Sequence, residues 1–300
     1  MAYRNQETGA TSAGNLAEFV LAYELSNNVD CTSETGVLKE EILKEIEENS
    51  DRVQKIRKEC AAVIPQLPGD VIKVILAGGD SRCKSDLIVE TKEGTFHINL
   101  KRDNNAPERR QGQSWDNVRE TYEQFGFDMS GLRDRYVRAA EVFTVGHLRY
   151  SSKPGDWTPE LGRAADTAQG FFAEAEAVLA ARGVDPEKLV SGLQDIILGD
   201  AETIYHVELK KGSVHKVGRG PVTLGELTLQ ATKSASGRTT KLRVFSDGEL
   251  IFYTENSVKA GKATKKQAAA GGHQPSRDVR SICPQTKLSV TKAGLELLSN

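Results

Sequence analysis

Cysteine and long apolar runs are scarce in this chain of 300 residues. The four cysteines form no CxxC pair and show no zinc-ligand spacing; they are Cys31, Cys60, Cys83 and Cys283. We therefore expect free thiols in a reducing, cytoplasmic setting. No stretch approaches the ~20 apolar residues of a membrane span. Residues 1–27 lack the basic and apolar segments of a signal peptide, so we expect neither a membrane segment nor a secretion signal.

The net charge is small overall but unevenly distributed. The whole chain carries −2, from 40 Lys and Arg against 42 Asp and Glu. Residues 210–280 contain 14 Lys and Arg against 5 Asp and Glu, a net of +9, whereas residues 1–209 carry −12. A basic segment beside an acidic remainder suggests a polyanionic partner, and a lysine-rich solvated surface is the alternative.

The spacing of apolar residues predicts an α/β protein. Steps of three and four predict helices over 15–25, 35–64, 115–125, 132–143, 159–182 and 185–198. Short β-branched runs predict an antiparallel meander of three strands over 71–76, 86–90 and 95–101, with one buried face. More short runs predict strands over 204–210, 222–232, 239–245 and 250–253. We expect a core with helices in residues 1–200 and a β-rich, basic part in residues 201–300.

Two of the meander strands carry a pattern of polar residues. Asp86 opens one strand, and Asn99 and Lys101 end the strand that returns antiparallel to it. Because strand side chains alternate between faces, Asn99 and Lys101 point to the same face, beside the start of the strand that carries Asp86. A carboxylate, an amide oxygen and an ammonium at one end of a hairpin suit a divalent cation and a phosphate.

This arrangement resembles the PD-(D/E)xK nuclease superfamily, which includes most type II restriction endonucleases. Asp86 matches the first acid, and Asn99-Leu100-Lys101 matches the (D/E)xK tripeptide, within a resemblance that covers residues 71–101. The resemblance implies a mixed central sheet flanked by helices, with Asp86, Asn99 and the Leu100 carbonyl as Mg²⁺ ligands and Lys101 beside the scissile phosphate. Ser85 replaces the family's proline, and Asn99 replaces its second acid, which removes a charge from the metal site.

Another carboxylate would have to supply the missing charge. Our first choice is Glu18 on the predicted first helix, since related nucleases often place a helical glutamate at the metal; a solvated surface glutamate is the alternative. Asp80, in a glycine turn, is the second choice. Glu90 would lie about 13 Å from Asp86 along the strand, too far to share one metal. His97 shares the face of Lys101, although a half-buried sheet histidine is the favoured interpretation.

The polar segment after Lys101 and the basic C-terminal part predict the DNA contacts. Arginine, glutamine and asparagine side chains grip phosphates or read base edges in pairs of hydrogen bonds, and a solvent loop is the alternative for residues 101–113. The predicted DNA-binding residues are Arg102, Asn104, Asn105, Arg109, Arg110, Gln113, Lys210, Lys211, Lys216, Arg219 and Gln230.

Together these residues favour a Mg²⁺-dependent endonuclease that hydrolyses double-stranded DNA, of the type II restriction kind. We expect a homodimer, because palindromic targets are two-fold symmetric. Two alternatives remain open. One is a non-catalytic DNA-binding module that retains the nuclease fold, which the loss of an acid at Asn99 favours. The other is a repair or recombination nuclease that recognises branched or damaged DNA.

Overall fold

The structure is a computed structural model of the chain. It describes residues 13–26, 31–33, 40–77, 85–102, 107–111, 114–140, 144–149, 159–234, 239–262 and 278–299. The helices within these residues are α1 (Ala13–Leu25), α2 (Glu40–Glu47), α3 (Asp51–Val63), α4 (Trp115–Glu123), α5 (Arg133–Ala140), α6 (Pro159–Arg182), α7 (Pro186–Leu198) and α8 (Lys292–Leu298). None of these helices is long and apolar enough to cross a bilayer.

The β-strands form two six-stranded sheets. The strands are β1 (Cys31–Ser33), β2 (Val71–Leu76), β3 (Leu87–Thr91), β4 (Gly94–Lys101), β5 (Pro107–Gln111), β6 (Thr144–Arg149), β7 (Thr203–Glu208), β8 (Ser213–Gly218), β9 (Leu227–Lys233), β10 (Thr239–Ser246), β11 (Glu249–Lys262) and β12 (Asp278–Val290). The protein is therefore mixed α/β, as the apolar spacing predicted.

The chain divides into two compact units, and both are discontinuous in sequence. The first comprises Met1–Ala106, Leu193–Val222 and Leu295–Asn300, and the second comprises Pro107–Gly192 and Thr223–Gly294. The predicted division at residue 200 does not coincide with these units. The physical reason is that β7 and β8 hydrogen-bond into the sheet of the first unit.

The sheet of the first unit has the strand order β1-β2-β3-β4-β7-β8. β2, β3 and β4 form the predicted antiparallel meander, whereas β7 runs parallel to β4. Helices α1 and α3 bury their apolar residues against one face, in a cluster that includes Val20, Ile56, Leu87, Ile98 and Leu100. This burial drives the packing of the helices on the sheet.

The end of β4 is buried on both faces, which corrects the prediction of a meander with one buried face. Ile98, Asn99 and Leu100 are consecutive, and their exposed fractions are 1%, 6% and 6%. Consecutive strand residues point to opposite faces, so both sides of the sheet are covered there. A strand with partners on both edges is central in its sheet, and central strands next to parallel neighbours are commonly buried on both faces.

The helix predicted over residues 35–64 is broken in its described part. Asn49 adopts a positive φ of 52°, which ends α2. The Ser50 hydroxyl then accepts a hydrogen bond from the Val53 N–H at 3.3 Å and caps α3. The apolar spacing continues through both helices, so periodicity alone did not reveal the break.

The sheet of the second unit has the order β5-β12-β11-β10-β9, and β6 also pairs with β12. Three of its strands, β5, β6 and β12, were not predicted. The segment predicted as a loop over 101–113 contains β5, whose sequence Pro-Glu-Arg-Arg-Gln has no apolar alternation. Pro284 lies inside β12 and argued against a strand there.

One face of this second sheet carries a buried polar network against α6. Glu176 of α6 is fully buried, and its carboxylate accepts a hydrogen bond from the Asn256 side-chain N–H. Asn256 also donates to the Tyr122 hydroxyl at 2.6 Å and accepts from the Thr286 hydroxyl at 2.6 Å. Among the described residues, the second oxygen of Glu176 has no hydrogen-bond partner.

Candidate active site

Asp86 is fixed at the point where the meander strands of the first unit meet. Its backbone N–H donates to the Ile98 carbonyl at 2.8 Å, and its carbonyl accepts from the Ala77 N–H at 3.0 Å. Its side-chain oxygen Oδ2 accepts a hydrogen bond from the Leu100 N–H at 2.6 Å. The carboxylate is therefore held against the backbone of the tripeptide Asn99-Leu100-Lys101.

The Leu100 carbonyl points to the same edge of β4 as the Leu100 N–H. In a β-strand, the N–H and C=O of one residue point toward the same neighbouring strand. Because the Leu100 N–H points at Asp86, the carbonyl oxygen of Leu100 lies on the Asp86 side of β4. The carbonyl that the resemblance implies as a metal ligand is therefore on the same side of β4 as Asp86.

Glu18 of α1 converges with Asp86 and Lys101. The pKa of Glu18 is raised from 4.5 to about 8: burial is the largest cause, the negative charge of Asp86 also raises it, and the positive charge of Lys101 lowers it. Because a neighbouring charge shifts a pKa only at short range, the side chains of Glu18, Asp86 and Lys101 lie close to one another. The structure thus brings together the helical glutamate, the first acid and the lysine.

The pKa of Asp86, like that of Glu18, is shifted by burial and by the charge of Lys101. Burial raises the pKa of the Asp86 carboxyl, whereas the charge of Lys101 and the hydrogen bond from Leu100 lower it. Burial removes the carboxyl groups of Glu18 and Asp86 from water, and Lys101 supplies one positive charge nearby. When both carboxyl groups are ionised, the cluster therefore carries a net negative charge. The cluster therefore favours an additional cation or a proton.

The cluster is reachable from solvent. Glu18, Asp86 and Lys101 are all partly exposed. Within the described ranges, no direct hydrogen bond or ion pair involves the side chain of Glu18 or of Lys101. The Lys101 ammonium and the Glu18 carboxyl group, whose pKa is about 8, are therefore available to a ligand.

A row of buried polar residues continues from Asn99 across the sheet. Asn99 is in register with His206 on β7, and His206 is opposite His215 on β8. Burial, followed by the charge of Lys101, lowers the pKa of His206 to about 4, so its imidazole is neutral at neutral pH. Sequence reasoning missed His206, because the register between β4 and β7 joins segments about a hundred residues apart.

Glu90 and His97 make their contacts outside this cluster. The Glu90 carboxylate lies 3.8 Å from the ammonium of Lys73, along the strand from Asp86 as predicted. His97 is half-buried, and its Nδ1 lies 2.8 Å from the Ser85 hydroxyl, which agrees with a structural role. Asp80 lies outside the described residues.

Arg102 forms an ion pair inside the first unit rather than projecting into solvent. Its guanidinium Nε lies 3.1 Å from the Glu59 carboxylate of α3, and both side chains are 13% exposed. The pair lies beside the buried thiol of Cys60. The pKa of this thiol is raised to about 12, mainly by burial, and the charge of Arg102 opposes the rise. Arg102 therefore joins the loop after β4 to α3, a role distinct from the predicted DNA contact.

We expect Arg102→Ala to lower the free energy of unfolding by about 2 kcal/mol or more, because Glu59 keeps its charge in a half-buried position without a partner. Urea unfolding followed by circular dichroism measures the change. The matched control is Arg52→Ala, since the ion pair of Arg52 with Glu45 is more exposed and its loss costs about 0.5 kcal/mol or less. Equal effects of the two substitutions would contradict a structural role for Arg102.

The remaining predicted DNA-binding residues are dispersed. Asn104, Asn105 and Gln113 lie outside the described residues, and Arg109 and Arg110 belong to β5. The remaining five were assigned to the C-terminal part: Lys210, Lys211, Lys216, Arg219 and Gln230. All five are exposed, and two of them form ion pairs.

The two ion pairs are intramolecular and short. The Lys211 ammonium lies 2.7 Å from Glu208, and the Arg219 guanidinium lies 2.7 Å from Asp195. Gln230 belongs to the second unit, whereas the other four belong to the first. The predicted residues are therefore distributed over both units.

No group of three or more His, Cys, Asp or Glu side chains in the described part of the chain is arranged to hold a metal ion. The candidate donors are instead two carboxylates and one main-chain carbonyl. Comparisons of the chain with protein-family models, with curated proteins and with solved structures found no match.

Proposed function

We propose that the protein is a Mg²⁺-dependent endonuclease acting on double-stranded DNA, with Glu18, Asp86 and Lys101 in its active site. The observation that carries this proposal is the convergence of the three side chains at the end of β4. Two carboxylates and a lysine beside a strand end are the groups that metal-assisted phosphodiester hydrolysis requires. The proposed fold is the restriction-endonuclease-like arrangement of a mixed sheet flanked by helices.

The donor set fits Mg²⁺. This ion takes oxygen ligands, keeps several of its waters, and is commonly held by one or two carboxylates together with substrate phosphate oxygens. Glu18, Asp86 and the Leu100 carbonyl would supply such a set, and Asn99 would complete it as predicted. The raised pKa values of both carboxyl groups also indicate a site that gains stability when a cation balances their charge.

Each residue has a separate role in the proposed reaction. A bound Mg²⁺ lowers the pKa of a coordinated water and neutralises phosphate charge. The Leu100 N–H fixes the orientation of the Asp86 carboxylate through the 2.6 Å hydrogen bond. Lys101 places its ammonium beside the scissile phosphate, where it orients the attacking water and stabilises the charge that develops in the transition state.

The proposed setting follows from this activity. A restriction endonuclease acts in the cytoplasm on duplex DNA, and a two-fold symmetric target favours a homodimer. A repair or recombination nuclease would share the same site. Cutting at branched or damaged DNA, rather than at one sequence, would identify that variant of the proposal.

A non-catalytic DNA-binding module is the second candidate, and Asn99 favours it. An amide at the position of the second acid contributes no charge to a metal. The position of Glu18 argues against this candidate, because it places a second carboxyl group close to Asp86. Binding of duplex DNA without any cleavage by the wild-type protein would select this alternative.

The test is incubation of the full chain with mixed duplex DNA and magnesium, followed by electrophoresis. We expect discrete fragments with Mg²⁺ and none with EDTA. Lys101→Ala is expected to lower the cleavage rate about 10²–10³-fold, the magnitude typical of losing one group that stabilises transition-state charge. The matched control is Lys73→Ala, a strand lysine that pairs with Glu90 outside the cluster. Wild-type protein that never cleaves would overturn the proposal.

A further inference from the structure

The outer face of the second sheet carries basic side chains in alternation with the buried residues of β10. Thr240, Leu242 and Val244 are buried. Lys241 and Arg243 lie between them in sequence, and both are partly exposed. Because strand side chains alternate, these two cations point away from α6. We call the outer basic face the surface formed by Lys241, Arg243, Tyr253, Glu255, Lys287 and Gln230.

One row of the outer basic face crosses three strands. Glu255 of β11 is opposite Lys241 of β10 on one side and Lys287 of β12 on the other. The Glu255 carboxylate lies 2.9 Å from the Lys241 ammonium and 3.0 Å from the Lys287 ammonium. The single carboxylate therefore holds two lysines in fixed positions and neutralises one of their charges.

The neighbouring row adds a third cation and two groups that suit nucleic acid. Gln230 of β9, Arg243 of β10 and Tyr253 of β11 are in register across the sheet. The Lys241 ammonium lies 5.0 Å from the centre of the Tyr253 ring, in cation–π contact. Three cations against one anion give the two rows a net charge of +2.

Fixed cations favour a polyanion over other partners. Lysines on most surfaces lose side-chain entropy when they bind, whereas Lys241 and Lys287 are already held by Glu255. Their side chains are 32% and 27% exposed, so both remain in part at the surface. Exposed Gln230 on the edge strand adds an amide donor, and arginine, lysine and glutamine are the side chains that contact DNA phosphates.

We propose that the outer basic face binds the sugar–phosphate backbone of duplex DNA, and this rests on the proposed function. The face contacts phosphates without reading sequence, because it presents charges and donors on the face of a sheet rather than on an element that enters a groove. It supplies affinity for DNA to the proposed enzyme. Gln230, Lys241 and Arg243 belong to the basic C-terminal part that was expected from the sequence to contact DNA, whereas Tyr253, Glu255 and Lys287 were not named there.

The experiment measures binding of a fluorescent duplex by the full chain in EDTA, so that no cleavage is needed. The test variant carries Lys241→Gln, Arg243→Gln and Lys287→Gln. The control variant removes the same charge through Lys44→Gln, Lys92→Gln and Lys188→Gln. Those three lysines are 72%, 74% and 68% exposed and lie outside the face.

We expect the test variant to bind at least about 10-fold more weakly at 0.1 M salt, with the slope of log affinity against log salt reduced by about 2. The control variant is expected to change affinity by about 2-fold or less. Circular dichroism checks that the variants fold. Glu255→Gln provides a test without loss of a cation. It removes the negative charge among the six residues, while the glutamine oxygen can still accept hydrogen bonds from the two lysines, so we expect tighter binding.

Several outcomes would overturn the proposal. Test and control variants with equal affinity and equal salt slopes would remove the face from the interface. Stronger binding of single-stranded DNA, or of polyglutamate, than of duplex would assign the face to another polyanion. Failure of the nuclease proposal looks different: the chain would bind duplex through this face in EDTA and still cut nothing with Mg²⁺.

Discussion

Asp86→Asn is expected to reduce cleavage of duplex DNA by at least about 10³-fold while duplex binding persists. The substitution removes a charge that would hold the metal, which is worth several kcal/mol to the transition state. Asparagine keeps an oxygen that can accept the Leu100 N–H, so the local backbone hydrogen bond survives. Plasmid nicking with Mg²⁺ measures cleavage, and anisotropy with a labelled duplex in EDTA measures binding.

Glu18→Gln is the companion variant, because Glu18 supplies the second carboxylate. We expect a loss of similar size, and a matched control lies on the same helix. Glu24→Gln changes an α1 glutamate whose carboxylate pairs at 2.7 Å with Arg57, outside the cluster. If Glu24→Gln and Glu18→Gln impair cleavage equally, or if Asp86→Asn cuts like the wild type, the metal site lies elsewhere.

The stability of the second unit is expected to fall as the pH rises from about 4.5 to about 8, and Glu176→Gln should remove most of this fall. Burial raises the pKa of Glu176 from 4.5 to about 8, although hydrogen bonds from Asn256 and Thr240 lower it. In this window the folded protein binds a proton that the unfolded chain has released, so unfolding becomes easier with increasing pH. The full effect is on the order of 3–5 kcal/mol.

Urea unfolding between pH 5 and pH 8.5 measures this effect. The sequence contains two tryptophans, Trp115 and Trp157, and both fall within the chain segment 107–192 of the second unit. Trp115 begins α4, so its fluorescence reports that unit. Glutamine keeps the size of Glu176 and a carbonyl oxygen for Asn256, so the network can remain intact.

The control for this prediction is Glu174→Gln on the same helix. Glu174 is 62% exposed and pairs with Arg135 at the surface, so its loss should leave the pH dependence unchanged. We expect the stability of Glu176→Gln relative to the wild type to increase steadily with pH. Parallel stability curves for the two proteins would show that Glu176 is ionised in the folded state without cost.

The sequence was informative where local pattern determines structure. The alternation of Phe96, Ile98 and Leu100 with His97, Asn99 and Lys101 fixed which side chains share a face of β4. The hairpin that joins this strand to Asp86 is short, so the approach of Asp86 to the tripeptide followed from the spacing. Glu18 was reached only through the resemblance to a nuclease family, because a helix periodicity does not say which end of a sheet the helix covers.

Long-range pairing was not predictable in the same way. Strand β7 lies beside β4, and the residues between them include four helices, α4 to α7, and the strands β5 and β6. Backbone hydrogen bonds are the same for every sequence, so side-chain pattern alone does not identify a distant partner. Strands without apolar alternation, such as β5, or with an internal proline, such as β12, were missed for a separate reason: their own residues disfavour the prediction of a strand.

The parallel pairing of β4 with β7 also sets an order of events during synthesis on the ribosome. Lys101 leaves the exit tunnel long before Glu208, its register partner, has been translated. Until then β4 has an unsatisfied edge that other chains can pair with, and late, non-local pairing slows folding. Chaperone demand and loss to aggregates are therefore expected to concentrate in this interval of translation.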